Sequence, residues 1–184
     1  MLLKLLAFAA ATAALIYISR LSLGAPRSHG FYRFFAWELI AALFLLNLDA
    51  WFKTPFAWYQ LISWLLLVAS LVPLILGVRA LVSQGKPAAQ RETDPHLLAF
   101  EKTTALVTDG VYAYIRHPLY SSLLFLTWGI SFKALTWPSM LLALAATLLL
   151  FATARADEAE CLRFFGPAYQ AYLQRTKRFV PFLF

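Results

Sequence analysis

The stretch that decides how this chain folds is Gly110-Val111-Tyr112-Ala113-Tyr114-Ile115-Arg116-His117-Pro118-Leu119-Tyr120, where a polar segment turns into an apolar run. Proline suits the first turn of a helix, where its missing N–H is not needed. Pro118 therefore opens a helix that reads on to Phe132, with His117 at the N-cap. A second apolar run, Trp137–Thr153, follows after only Lys133-Ala134-Leu135-Thr136. Two helices joined so closely read as a tight hairpin, with Lys133 snorkelling outward from its tip. Polar groups at such a depth cost several kcal/mol unless they are partnered or wetted. A cluster of tyrosine, arginine and imidazole against the hairpin therefore points to a site rather than to anchoring alone.

Three further apolar runs precede the hairpin: Leu2–Ile18, Phe34–Phe52 and Phe56–Val82. Each is near the roughly 20 residues that cross a bilayer as a helix, and Pro73 predicts a kink in the third. The 184 residues are 61% hydrophobic and 14% charged, against about 45–50% and about 25% in soluble domains. The fold class is all-α: a polytopic membrane protein of about five transmembrane helices, with a short amphipathic helix after Gly166-Pro167. Residues 1–184 read as a single domain, divided into three N-terminal spans (1–82), a polar loop (83–117), and the hairpin with its tail (118–184). Ser83–Asp94, with Gly85, Pro87 and charges, reads as open loop. Lys4 and the alanines up to Ala14 resemble a cleavable leader, but the apolar run continues to Ile18 and a retained span fits the charge pattern better.

The net charge of +7 is a topology signal. With five spans, Arg20, Arg27 and Arg33, the 79–116 basic residues and the five beyond Thr153 share one side; Lys4, Lys53 and Lys133 share the other. The positive-inside rule assigns the rich side, with the C-terminus, to the cytoplasm. The charge thus predicts contact with membrane lipids and no nucleic-acid partner. A single cysteine, Cys161, excludes an internal disulfide and a Cys-based metal cluster. No metal site is expected, and Cys161 reads as a small buried residue.

This topology brings Leu106–Tyr120 and Arg155-Ala156-Asp157-Glu158-Ala159-Glu160 to one membrane surface. The free N–H groups and dipole at the start of the Pro118 helix favour an anion, with Arg116 and His117 adding donors. Asp157 and Glu158 add negative charge nearby. An anion cradle beside carboxylates suits a zwitterion that also carries a cation, as an amino-acid cofactor with a sulfonium centre does.

Leu106-Val107-Thr108-Asp109-Gly110-Val111-Tyr112, then Arg116-His117-Pro118-Leu119-Tyr120, resembles the signature of the integral-membrane methyltransferases. Isoprenylcysteine carboxyl methyltransferases and phospholipid methyltransferases both belong there. Asp157-Glu158, Phe165-Gly166, Tyr169, Tyr172, Arg178-Phe179 and Pro181 extend the resemblance, which covers about Leu106–Pro181. It implies S-adenosylmethionine as methyl donor. It also implies a pocket lined by Leu106, Val107, Gly110, Tyr112, His117, Pro118 and Tyr120, and closed by Glu158. The acidic pair is Asp157-Glu158 where the family commonly has Glu-Glu, so the carry-over rests on Glu158. No Gly-x-Gly-x-x-Gly occurs, which leaves a Rossmann-type cofactor domain unsupported.

Methyl transfer from a sulfonium is an in-line displacement, favoured by alignment and by exclusion of water. A carboxylate acceptor needs a cation to orient it, and Arg155 and Arg175 are the candidates. An amine acceptor needs a proton acceptor, and Glu158 or Glu160 can serve, although Glu160 points about 200° away from Glu158 around a helix and reads better as a solvated or paired charge. The resemblance implies a lipophilic acceptor. The prenylcysteine carboxyl is the preferred reading, a phospholipid amine the rival, and a non-catalytic lipid- or partner-binding protein the third possibility.

Other residues carry plainer readings. His117 can act only as an N-cap, and Arg116 only as a headgroup anchor. Tyr114 suits the interfacial aromatic belt, while Tyr169 and Tyr172 suit core packing. Arg163, Lys177 and Arg178 suit lipid headgroups. Glu38, read as about one turn inside the second span, expects Arg33 or Arg79 as partner.

Overall fold

The computed structural model describes residues 1–85, 97–98 and 101–181. Six α-helices are present among the described residues: α1 (Leu2–Leu23), α2 (His29–Asn47), α3 (Trp58–Gln84), α4 (Pro118–Ser131), α5 (Trp137–Phe165) and α6 (Pro167–Arg175). The all-α, multi-pass reading holds, and α1, α2, α3 and α5 are each long and apolar enough to cross a membrane. The chain is an integral membrane protein. The fourth expected span, α4, has 14 residues, about 21 Å of helix, less than the ~30 Å hydrocarbon core. Of the Ser83–Asp94 loop reading, residues 86–94 lie outside the described residues.

Two helices begin or end well beyond their apolar cores. Helix α2 starts at His29, not Phe34, because the Ser28 hydroxyl accepts from the Phe31 N–H at 3.1 Å and caps it. The polar residues this adds, His29 and Arg33, are buried rather than solvated. Helix α5 runs to Phe165, three turns past the expected Thr153, and stops at Gly166, whose φ of 57° is open to glycine. That extension carries Asp157, Glu158 and Glu160 out on a rigid rod. Helix α3 continues through Pro73.

Helices α4 and α5 are neighbours in the chain, but their main faces pack elsewhere, α5 on α2 and α4 on α3. Small residues allow this close approach. Ala36, Ala143 and Ala146 are fully buried, and Gly129 of α4 meets Leu67 of α3. Side-chain hydrogen bonds fix the far end of the bundle. The Asn47 amide donates to the Ile130 carbonyl (2.9 Å) and the Ser139 hydroxyl (2.8 Å), and the Ser63 hydroxyl to the Gly129 carbonyl (2.6 Å).

Lys133 does not snorkel. It is 1% exposed, with Nζ 3.4 Å from the Trp64 ring centre and 5.1 Å from that of Trp51, and it donates to Gln60 Oε1 at 3.1 Å. Indole faces replace part of its hydration, which the tip of a hairpin seen in sequence alone does not offer. Glu38 also differs from expectation. It lies nine residues into α2, about 14 Å from the start, and accepts from the Thr12 hydroxyl of α1 at 2.8 Å. Arg33 pairs instead with Glu101.

Candidate functional site

The site forms where α2, α4, α5 and α6 meet the segment that precedes α4. That segment is tied down first. The N–H groups of Thr104 and Ala105 donate to the Gly85 carbonyl at 3.0 and 3.2 Å. A Cβ on Gly85 would lie 2.4 Å from Thr103 Cγ2, so only glycine fits beneath this crossing. Gly110, at φ 61°, then turns the chain into a short 3-10 turn ending at Ala113.

A C-terminal strap, residues 176–179, closes one side. Ile115 and Lys177 form a parallel bridge, and the Arg116 and His117 N–H groups donate to the Lys177 and Arg178 carbonyls at 2.8 and 3.1 Å. The Ser121 hydroxyl donates to the Phe179 carbonyl at 2.7 Å. The tail thus braces the N-terminus of α4 from outside the cleft.

Between these elements lies a cleft with about 710 Å³ of empty space, its open mouth included. Leu106, Val107, Tyr112, His117, Pro118 and Tyr120 all line it. Two other expected residues do not. Gly110 shapes the turn, and Glu158 stands behind the wall with its lone pairs taken: Oε1 accepts from Arg116 Nε (3.0 Å), Arg178 Nε (3.0 Å) and His117 Nε2 (3.3 Å), and Oε2 from an Arg178 Nη (2.7 Å). Arg155 is exposed on α5, and Arg175 lines a separate basic groove with Lys177 and Arg178. Neither belongs to the cleft lining.

His117 occupies the N-cap, yet its ring caps no backbone N–H. It stacks on Tyr120 at 5.3 Å and reaches Asp157 (3.5 Å) and Glu158. Burial alone disfavours the imidazolium, but the bonds to Asp157 and Glu158 outweigh it and raise the His117 pKa above its ordinary value. Arg116 is turned inward rather than toward the headgroups: besides its Nε bond to Glu158, one Nη donates to the Leu173 and Thr176 carbonyls. Arg178 likewise holds Glu158 rather than lipid. Tyr114 is exposed, as the aromatic-belt reading expects.

Sequence reasoning left several lining residues out of the site. Tyr169 and Tyr172 are buried in the wall, and the Tyr172 hydroxyl donates to the Tyr112 carbonyl at 2.7 Å. Cys161 and Asp157 line the cleft from α5, the Cys161 thiol lying 3.5 Å from Asp157 Oδ1. His29 and Glu101 line it too. His29 holds Glu160 through both its N–H (2.8 Å) and Nδ1 (2.6 Å), so Glu160 is a paired charge. A histidine one residue after a serine cap, at the head of a mostly apolar helix, is the available signal for this pair.

Taken together, the wall offers aromatic faces in Tyr112, Phe165 and Tyr169, carboxylates in Glu101 and Asp157, and donors in Arg116 and the first turn of α4. This set fits an adenine ring, a cation and a carboxylate. No group of three or more His, Cys, Asp or Glu able to hold a metal occurs among the described residues.

Residues 90–167 match the family model for phospholipid methyltransferases. Over 93 residues, 48% of this chain and 39% of the relative, the chain is 30% identical to a protein-S-isoprenylcysteine O-methyltransferase of Schizosaccharomyces pombe. Over 86 residues, 45% and 43% respectively, it is 36% identical to protein-S-isoprenylcysteine O-methyltransferase B of Arabidopsis thaliana. The matches thus span about two fifths of the length of these curated relatives. No solved structure matches. These similarities support the membrane methyltransferase family for this chain, through the segment that builds the site.

Proposed function

We propose that this protein is a membrane-embedded methyltransferase that uses S-adenosylmethionine and acts on a lipophilic acceptor, with the prenylcysteine carboxyl group as first choice. The observation that carries the reading is the gathering of Leu106, Val107, Tyr112, His117, Pro118 and Tyr120 around one cleft. The donor supplies a methyl group activated on a sulfonium. The chain's part is to hold and to exclude. Tyr112 and Tyr169 would hold the donor's flat heterocycle, Arg116 and the N-terminus of α4 would hold the carboxylate of its amino-acid arm, and the buried walls would keep water from the transfer. Glu158 acts from behind, fixing Arg116 and His117 in their orientations.

Removing Glu158 should therefore weaken donor binding; unchanged affinity and turnover in Glu158→Ala would sink that role. Arg155 and Arg175 lie outside the cleft lining. Either can orient an acceptor carboxylate only if that group stays at the rim, and a raised acceptor KM without loss of donor affinity in Arg155→Ala or Arg175→Ala would identify it. The charge pattern supports a cytoplasmic site and C-terminus, and cysteine-accessibility labelling of the tail in sealed vesicles tests that orientation.

The matching family model favours a second reading, methylation of a phospholipid amine. Radiolabelled transfer to a farnesylated cysteine analogue, phosphatidylethanolamine and a total membrane lipid extract separates the two, because base releases label from an ester and not from an amine. Failure of the purified protein to bind S-adenosylhomocysteine favours a non-catalytic lipid-binding role.

A further inference from the structure

Among the described residues two carboxylates line the cleft, and only Asp157 belongs to the acidic pair of α5. The other, Glu101, comes from the segment leading to α4. It is held by two residues of α2 that are 1% and 3% exposed: His29, which also lines the cleft, and Arg33. They sit one helical turn apart, so both face the same neighbour. An Arg33 Nη donates to Glu101 Oε1, the Leu98 N–H donates to Oε2 at 2.9 Å, and His29 Nε2 lies 3.7 Å from Oε2.

We propose that Glu101 binds the cationic amine of the methyl donor's amino-acid arm, and that His29 and Arg33 are positioning residues that fix its carboxylate toward the cleft. This rests on the methyl-donor reading above. A carboxylate has about four lone-pair sites, and Glu101 gives two of them to close donors. Asp157 is spoken for on the α4 side: it accepts from the Tyr120 hydroxyl at 3.2 Å, and the Cys161 thiol and His117 Nδ1 each lie 3.5 Å away. An ammonium removed from water needs a fixed negative partner, and Glu101 offers one whose orientation is set before the ligand arrives. The Tyr112 hydroxyl registers the same negative wall: burial, then Asp157, Tyr172 and Glu101, push its pKa up.

His29 also grips Glu160 on α5. The N-terminus of α2 therefore ties the Glu101 segment to the helix that bears Asp157. In this way a helix outside the matched segment sets the distance between the two carboxylates.

The test uses two probes on the purified full chain: S-adenosylhomocysteine, and the same molecule with hydrogen in place of its amino group. Affinities are read by equilibrium dialysis for wild type, Glu101→Gln, His29→Gln and Arg33→Gln. Glu101→Gln should bind S-adenosylhomocysteine about tenfold or more weaker, the loss expected for a hydrogen bond to a charged group, while its affinity for the deaminated analogue changes less than about twofold. The His29 and Arg33 variants should show the same selectivity at smaller size, and Glu101→Asp should recover part of the loss. The analogue doubles as the folding control. Equal losses for both probes, or no loss for either, overturn the assignment and leave Glu101 as a tether between segment and helix. Wild type that binds neither probe instead removes the methyl-donor reading itself.

Discussion

The Arg178 guanidinium donates to both oxygens of Glu158, through Nε at 3.0 Å and an Nη at 2.7 Å. This fork joins the C-terminal strap to α5, and the same carboxylate holds Arg116 and His117 at the start of α4. Bidentate arginine–carboxylate pairs fix geometry as well as energy. The tail is thereby held against the back of the cleft wall, outside the lining itself.

Neutralising Glu158 leaves three basic groups facing one another. Breaking such a buried network by removing one partner costs about 3–5 kcal/mol. Glu158→Gln should lower the thermal unfolding midpoint in detergent and expose the strap to limited proteolysis. Arg178→Lys keeps the charge but loses the fork, so it should release the strap with a smaller stability loss.

Stability should be highest at mildly acidic pH. Glu101 is lowered to about 2, because the Arg33 and His29 charges outweigh the burial that opposes ionisation. A depressed acid contributes above its unfolded value near 4.5, and that contribution is lost as pH falls toward 2. His117 is raised, so its contribution is complete below 6.5 and is lost as pH rises through its folded value. Unfolding midpoints measured across pH should decline on both limbs. Glu101→Gln should flatten the acid limb and His117→Gln the alkaline one.

A Cβ on Gly129 would lie 2.9 Å from Leu67 Cγ and 3.1 Å from its backbone nitrogen. Gly129→Ala must therefore push α4 off α3, at about 1–3 kcal/mol, with donor affinity retained. At Gly77 the nearest atom is Pro118 Cγ at 3.0 Å. A larger residue there, Gly77→Val, should press on the first turn of α4 and weaken donor binding measurably. Comparing unfolding midpoints with dialysis affinities separates the two effects.

Lys133→Ala should empty the space between Trp51 and Trp64 and leave Gln60 Oε1 without its donor. The unpaired buried acceptor alone costs about 1–3 kcal/mol. Tryptophan fluorescence should shift to the red as water enters, with donor binding at the opposite end of the bundle unchanged.

Much of this was legible from order and type of residue. Pro118 at the start of α4, the apolar runs and the motif before them each depend on a few adjacent residues. The helix ends are less legible, because a polar residue marks a membrane edge and a helix end alike only when it stays in water. His29, Arg33 and the α5 extension are polar and still helical, since each polar side chain there finds a partner distant in sequence.

By itself the sequence determined the all-α, multi-pass architecture and the cleft-lining motif, because hydropathy and helix-start chemistry act over a few neighbouring positions. Tertiary structure alone decided which carboxylate faces the cleft and which stands behind it, and where Lys133 is buried. Those outcomes depend on partners tens of residues away, as in the 42-residue separation of Arg116 from Glu158 and the 68-residue separation of Arg33 from Glu101. Desolvation makes each buried charge take the partner that packing brings within reach, and packing is a property of the whole bundle.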